Sequence, residues 1–84
     1  MYLNIGGNIS LRMREIVGIF DLDNSTYSKI TREFLNKAEK EKKTVTIARE
    51  ELPKSFIITK NQRIYLSPVT SATLLKRAES GEMQ

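Results

Sequence analysis

Arg12 and Arg14 stand two residues apart in an alternating stretch, Ile9-Ser10-Leu11-Arg12-Met13-Arg14. A guanidinium group is a flat, permanently charged donor fork that fits the oxygens of phosphates and carboxylates. The pair could therefore grip phosphate, grip a protein carboxylate, or form the wet face of an amphipathic strand. Arg49, Lys54, Lys60 and Arg63 lie in or beside loops that could converge at one sheet edge. Lys37, Lys40, Lys42 and Lys43 are interleaved with Glu39 and Glu41. That mixture is expected of a solvated helix face rather than of a stripe that tracks a polyanion.

Little other chemistry is available. The 84 residues contain no His and no Cys, which removes the commonest acid/base, the thiol nucleophile and the usual zinc ligands. Ser, Thr and Tyr have no base to activate them. Asp21 and Asp23 could be imagined as a carboxylate pair or a Mg²⁺ site, but helix capping is the expected use. Gly6-Gly7 has no Walker lysine and no following helix, so a turn is expected instead of a phosphate loop. No catalytic residue, metal site, cofactor or small-molecule substrate emerges. Lys plus Arg number 14 against 10 for Asp plus Glu, and the resulting +4 charge favours polyanions weakly. These features describe a binding module.

The elements that must position these cations follow from periodicity. Residues 2–5 read as a short strand, Gly6-Gly7-Asn8 as a tight turn, and Ile9, Leu11 and Met13 as one face of a second strand. Arg12 and Arg14 would share the opposite face of that hairpin. Residues 15–20, Glu-Ile-Val-Gly-Ile-Phe, are apolar on both faces, as in a strand covered from two sides. A neighbouring subunit is a plausible second cover, and Gly18 suggests close approach of a backbone or a bulky side chain. Asp21 to Ser25 is a polar stop rich in N-caps. Over residues 26–43 the stripe Tyr27, Ile30, Phe34, Leu35 and Ala38 predicts a long amphipathic helix. Residues 44–48, 55–59 and 63–67 read as strands, the last two joined by Lys60-Asn61-Gln62, a loop in which Asn61 can adopt the left-handed conformation. Residues 71–79 read as a short helix with Leu74, Leu75 and Ala78 on one side. Leu74 and Leu75 would dock on the chain's own sheet or on a neighbour.

The chain is expected to be one domain over residues 1–80 with a frayed tail at 81–84. A domain of this size buries only about 60% of its unfolded surface. Without metals or disulfides, oligomerisation is the expected support, through Ile16, Gly18, Phe20, Leu74 and Leu75. The opening residues show no basic leader and no long apolar stretch, so no signal peptide or membrane span is expected, and the location is taken as cytoplasmic.

Several segments in this order carry a resemblance: Tyr2-Leu3-Asn4-Ile5-Gly6, Glu15 to Asp21, Pro53-Lys54-Ser55, and Ser67-Pro68-Val69-Thr70-Ser71-Ala72-Thr73-Leu74. Together they resemble the small bacterial extracellular matrix regulators, the Rem family, with the RemB (YaaB-like) branch nearest. The resemblance implies control of biofilm matrix genes and, from the RemA branch, a ring-shaped DNA-binding oligomer with a fold similar to LytTR-type domains. In that branch an arginine precedes the apolar strand, which Arg14 or Arg12 matches. The branch also places an arginine cluster before the strand at 55–59. Here that stretch reads Glu50-Glu51-Leu52-Pro53-Lys54, so only Lys54 keeps the charge, and two glutamates at a phosphate-facing loop would oppose DNA binding.

The expected architecture is α+β: a small curved, mostly antiparallel sheet with one long amphipathic helix and a short C-terminal helix. The expected function is a non-enzymatic transcriptional regulator that contacts duplex DNA through Arg12, Arg14, Lys54, Lys60 and Arg63. A ring or scaffold module for protein interaction, without DNA affinity, is the alternative.

Overall fold

A computed structural model describes residues 1–22 and 29–80. The capping positions Asp23, Asn24 and Ser25, the expected helix start at residue 26, Tyr27, the helix stop at Gly81 and the tail at 81–84 lie outside them, as does the side chain of Ile30. The N-terminal alternation forms the hairpin it implies: β1 (Tyr2–Gly6) pairs antiparallel with β2 (Ile9–Arg12), placing Leu3 opposite Leu11 and Tyr2 opposite Arg12. Gly6 adopts φ +126° and Gly7 +55° at the turn. Glycine is favoured at Gly6 by its φ, which side chains rarely adopt; an added Cβ would make only ordinary contact with Pro68 Cδ at 3.4 Å. The second strand stops sooner than its alternation suggests, and Met13–Glu15 forms a single 3-10 turn. In such a turn residues three apart lie on one side, which lets Met13 and Ile16 pack against the same apolar cluster. Arg14 therefore leaves the strand instead of sharing a face with Arg12.

The remaining strands are β3 (Ile16–Asp21), β4 (Thr44–Thr46), β5 (Ser55–Thr59) and β6 (Ile64–Ser67). They form a second sheet in the order β3-β5-β6-β4, so the single curved sheet expected from sequence is two sheets. All pairings are antiparallel except β4 with β6. The α+β class stands; the expected start of the long helix lies outside the described residues, and its described part ends at Lys40, three residues short of the expected end at 43. The described helices are α1 (Lys29–Lys40) and α2 (Ser71–Ser80), with 12 and 10 residues. Helix α1 ends before residue 43 because the chain must reverse to enter β4. Lys42 takes φ +59°, its N–H donates to Glu39 O at 3.0 Å, and Lys43 N–H donates to Ala38 O at 2.9 Å. That pair of bonds is a Schellman closure. At the start of α2, Thr70 caps the helix, its hydroxyl accepting from Thr73 N–H at 3.2 Å.

The period of two in β5 and β6 divides the core into two layers. Leu3, Ile5, Ile57 and Leu74 are buried between the four-stranded sheet, the hairpin and α2. On the opposite face Ala38 of α1 is buried with Phe56 and Ile64 of the sheet. Ser67 ties the sheets together: fully buried, it donates to Ile5 O at 2.6 Å and accepts from Val69 N–H at 3.0 Å. A buried hydroxyl with both roles filled avoids the desolvation penalty it would otherwise carry.

Candidate nucleic-acid interface

Strand direction decides which cations meet. The start of β3, the end of β5 and the starts of β4 and β6 lie at one end of the four-stranded sheet. There Lys60 N–H donates to Glu15 O at 2.9 Å, Thr59 N–H to Arg63 O at 3.0 Å, and Ile64 N–H to Lys43 O at 2.9 Å. Arg14, Lys60, Arg63, Lys42 and Lys43 thus share this end. Arg12 joins them at the open end of the hairpin, where Met13 N–H donates to Met1 O at 3.0 Å. Glu15 and Glu41 are the acidic residues among them, and Glu41 is already held by Lys43 Nζ at 3.1 Å.

The backbone of this end is well tied. Asn61 Oδ1 accepts from the Thr59 hydroxyl and, at 3.3 Å, from Arg63 N–H. Asn61 is able to adopt the left-handed conformation, but the residue of this loop that takes it is Gln62, with φ +67°. Asn61 instead uses its side chain as a turn-forming acceptor. The guanidinium carbon of Arg12 lies 5.7 Å from the centroid of the Tyr2 ring, a cation–π contact that limits where the fork points. Arg12, Arg14, Lys60 and Arg63 are all exposed, and none has an ion pair with another described residue.

Lys54 is elsewhere. Its N–H donates to Ser67 O at 2.8 Å and its carbonyl accepts from Leu22 N–H at 2.9 Å, which fixes it at the opposite end of β5. Six residues at ~3.4 Å each separate it from Lys60 by roughly 20 Å. Arg49 lies in the link that leads to Lys54, with exposed Glu50 and Glu51 beside it. Arg49, Lys54, Lys60 and Arg63 therefore do not converge within one chain. Lys42 and Lys43, assigned to a solvated helix face by their interleaving with glutamate, join the basic end instead. Their position immediately before the Thr44-Val45-Thr46 strand was the signal that could have placed them.

The residues expected at an interface fall into two groups. Leu74 is fully buried in the chain's own core, whereas Leu75 is 49% exposed. Strand β3 forms one edge of its sheet. Its pairing with β5 shifts register between Ile16 and Gly18, a bulge at Val17, which is left 62% exposed. Ile16 turns inward to the core, and Phe20 is 44% exposed.

No helix among the described residues is long and apolar enough to cross a membrane. A family model described as RemA-like, extracellular matrix regulatory protein A-like, matches residues 2–78. The chain is also similar to extracellular matrix regulatory protein B of Bacillus subtilis (strain 168), at 42% identity over 79 residues, covering 94% of this chain and 91% of that protein.

Proposed function

The chain belongs to the RemA-like family of extracellular matrix regulatory proteins, and from that premise we propose that it is a non-enzymatic, cytoplasmic regulator of bacterial biofilm matrix genes that works as an oligomer on duplex DNA. The observation that supports this most is the cluster of exposed cations, Arg12, Arg14, Lys60 and Arg63, at one end of the sheet, with no ion pair among the described residues. Such groups bind phosphates, which position a protein on DNA without reading its sequence. Any preference among sequences would come from the bending of DNA around the assembly. A single chain of charge +4 can hold few phosphates. Repetition around a ring, as the resemblance to the LytTR-like RemA branch implies, sums them into avidity. Lys54, at the far end of β5, then serves a second patch beside a neighbouring copy.

A salt titration of duplex binding tests the proposal. Affinity should be measurable at low salt and fall steeply as salt rises. Arg14→Ala and Lys54→Ala should each lower the slope of log K against log salt by about 1 if the side chain neutralises one phosphate. An intact oligomer that retains no duplex at low salt would establish the second reading, a scaffold ring for protein interaction. Glu50 and Glu51, exposed in the connection to Lys54, favour that reading because they repel phosphate.

A further inference from the structure

Helix α1 and the β5–β6 hairpin do not close completely on each other. Ala38 is the helix residue buried against this part of the sheet, at 5% exposure, and its single methyl leaves space above Ile58 and Ile64. Phe34, one turn earlier, does not fill that space; its ring stands 46% exposed at the margin. The result is a recess of about 330 Å³, at the small end of the roughly 300–1,000 Å³ range of ligand sites. Its floor is apolar, and its rim carries Lys37, Lys43, Glu41 and Gln62.

The charges at the rim are not equivalent. Glu41 is held by Lys43 at 3.1 Å, and Lys43 Nζ also donates to Gln62 Oε1 at 3.3 Å. Lys37 has no ion pair with a described residue. The rim therefore offers one uncommitted positive charge beside an apolar hollow. A ligand that fits has one negative charge and a compact apolar body. A cation would meet Lys37 and Lys43, and a polyanion such as a nucleotide would meet Glu41, with no second uncommitted cation among the described residues of the rim.

We propose that this recess binds a small organic monoanion, an aryl or branched-alkyl carboxylate, with its apolar body over Ala38, Ile58 and Ile64 and its carboxylate on Lys37 Nζ. This goes beyond the DNA reading and does not depend on it, because binding can be followed without DNA.

The test is a ¹⁵N–¹H NMR titration of the full chain with 4-phenylbutyrate, with neutral 4-phenylbutan-1-ol as the comparison. Saturable shifts are expected at the amides of Ala38, Ile58 and Ile64. Lys37→Glu removes the charge-assisted hydrogen bond and adds a repelling carboxylate, so it should weaken the acid by about tenfold or more, while leaving the alcohol unchanged. Lys37→Ala should weaken the acid in the same direction by less. Lys37 is exposed on the helix, so both variants should keep the parent amide spectrum elsewhere. The proposal is overturned if no shift saturates, if the shifts fall on β3 around Val17 and Phe20 instead, or if acid and alcohol bind alike.

Discussion

The ring of Phe20 occupies the space that a side chain at Gly18 would need. A Cβ built at Gly18 lies 2.7 Å from both Cε2 and Cζ of Phe20. The two residues are neighbours on one face of β3, and the ring is held there by stacking on Phe56, with centroids 5.0 Å apart and planes at 19°. The missing side chain at Gly18 lets an exposed edge strand keep a large aromatic flat against its sheet.

Gly18→Ala should push Phe20 off Phe56. An aromatic pair contributes ~0.5–1.5 kcal/mol beyond its buried area, so urea denaturation should show a loss of about 1 kcal/mol. Once Phe20→Ala has removed the ring, the same change should become neutral or stabilising by about 0.5 kcal/mol, since alanine restricts the unfolded chain more than glycine. A coupling near zero in this double-mutant cycle would show that the ring does not depend on the glycine.

Leu74 and Leu75 are adjacent in sequence but opposite in consequence. Leu74→Ala removes a fully buried side chain and should cost about 2–5 kcal/mol, as core leucine truncations do. Leu75→Ala should stay within about 1 kcal/mol in the isolated chain, because the side chain is half in water. Chemical denaturation at a concentration that keeps the protein monomeric separates the two.

Those leucines illustrate what periodicity can resolve. It located a short apolar helix near residues 71–79 and the strands 55–59 and 63–67 closely, because each combines a regular pattern with clear punctuation. It could not rank Leu74 above Leu75, since a helix of 10 residues presents both near one side and only the position of the hairpin decides which is covered. The same limit applies to the cations. Arg12 and Arg14 looked equivalent by alternation, but Met13 and Ile16 both enter the core and force a 3-10 turn between them. Lys54 and Lys60 flank one strand in sequence, and an extended strand separates what it flanks. Lys42 and Lys43 meet Arg63 through a parallel pairing of β4 with β6, a long-range pairing with no local signature.

Lys42 closes α1 in a conformation that favours glycine, with φ +59°. The left-handed region costs a residue with a side chain about 1–2 kcal/mol, so Lys42→Gly should stabilise the fold by about 0.5–1 kcal/mol despite the greater freedom of the unfolded chain. The measurement is the urea midpoint at constant m value. If the side chain also serves the basic end, the same variant should bind duplex DNA with a smaller salt slope, which makes stability and binding move in opposite directions.

Val17 is the sharpest test of assembly. It sits on an edge strand, at the bulge, and is 62% exposed while Ile16 and Ile19 beside it pack inward. A bulge bends the strand and leaves one residue unpaired, so this valine contributes little to the chain's own fold. Val17→Lys should change monomer stability by no more than about 0.5 kcal/mol, as exposed substitutions do. A charge at a closed apolar contact between copies would be desolvated without a partner. If copies join through this strand, sedimentation velocity at micromolar concentration should show an oligomer for the parent chain and a monomer for the variant. On the proposed DNA reading, duplex affinity should then fall by ~10²-fold or more as avidity disappears, although Arg12, Arg14, Lys60 and Arg63 are unchanged. If Val17→Lys assembles and binds DNA like the parent, copies meet through another surface, and exposed Leu75 on α2 becomes the next residue to change.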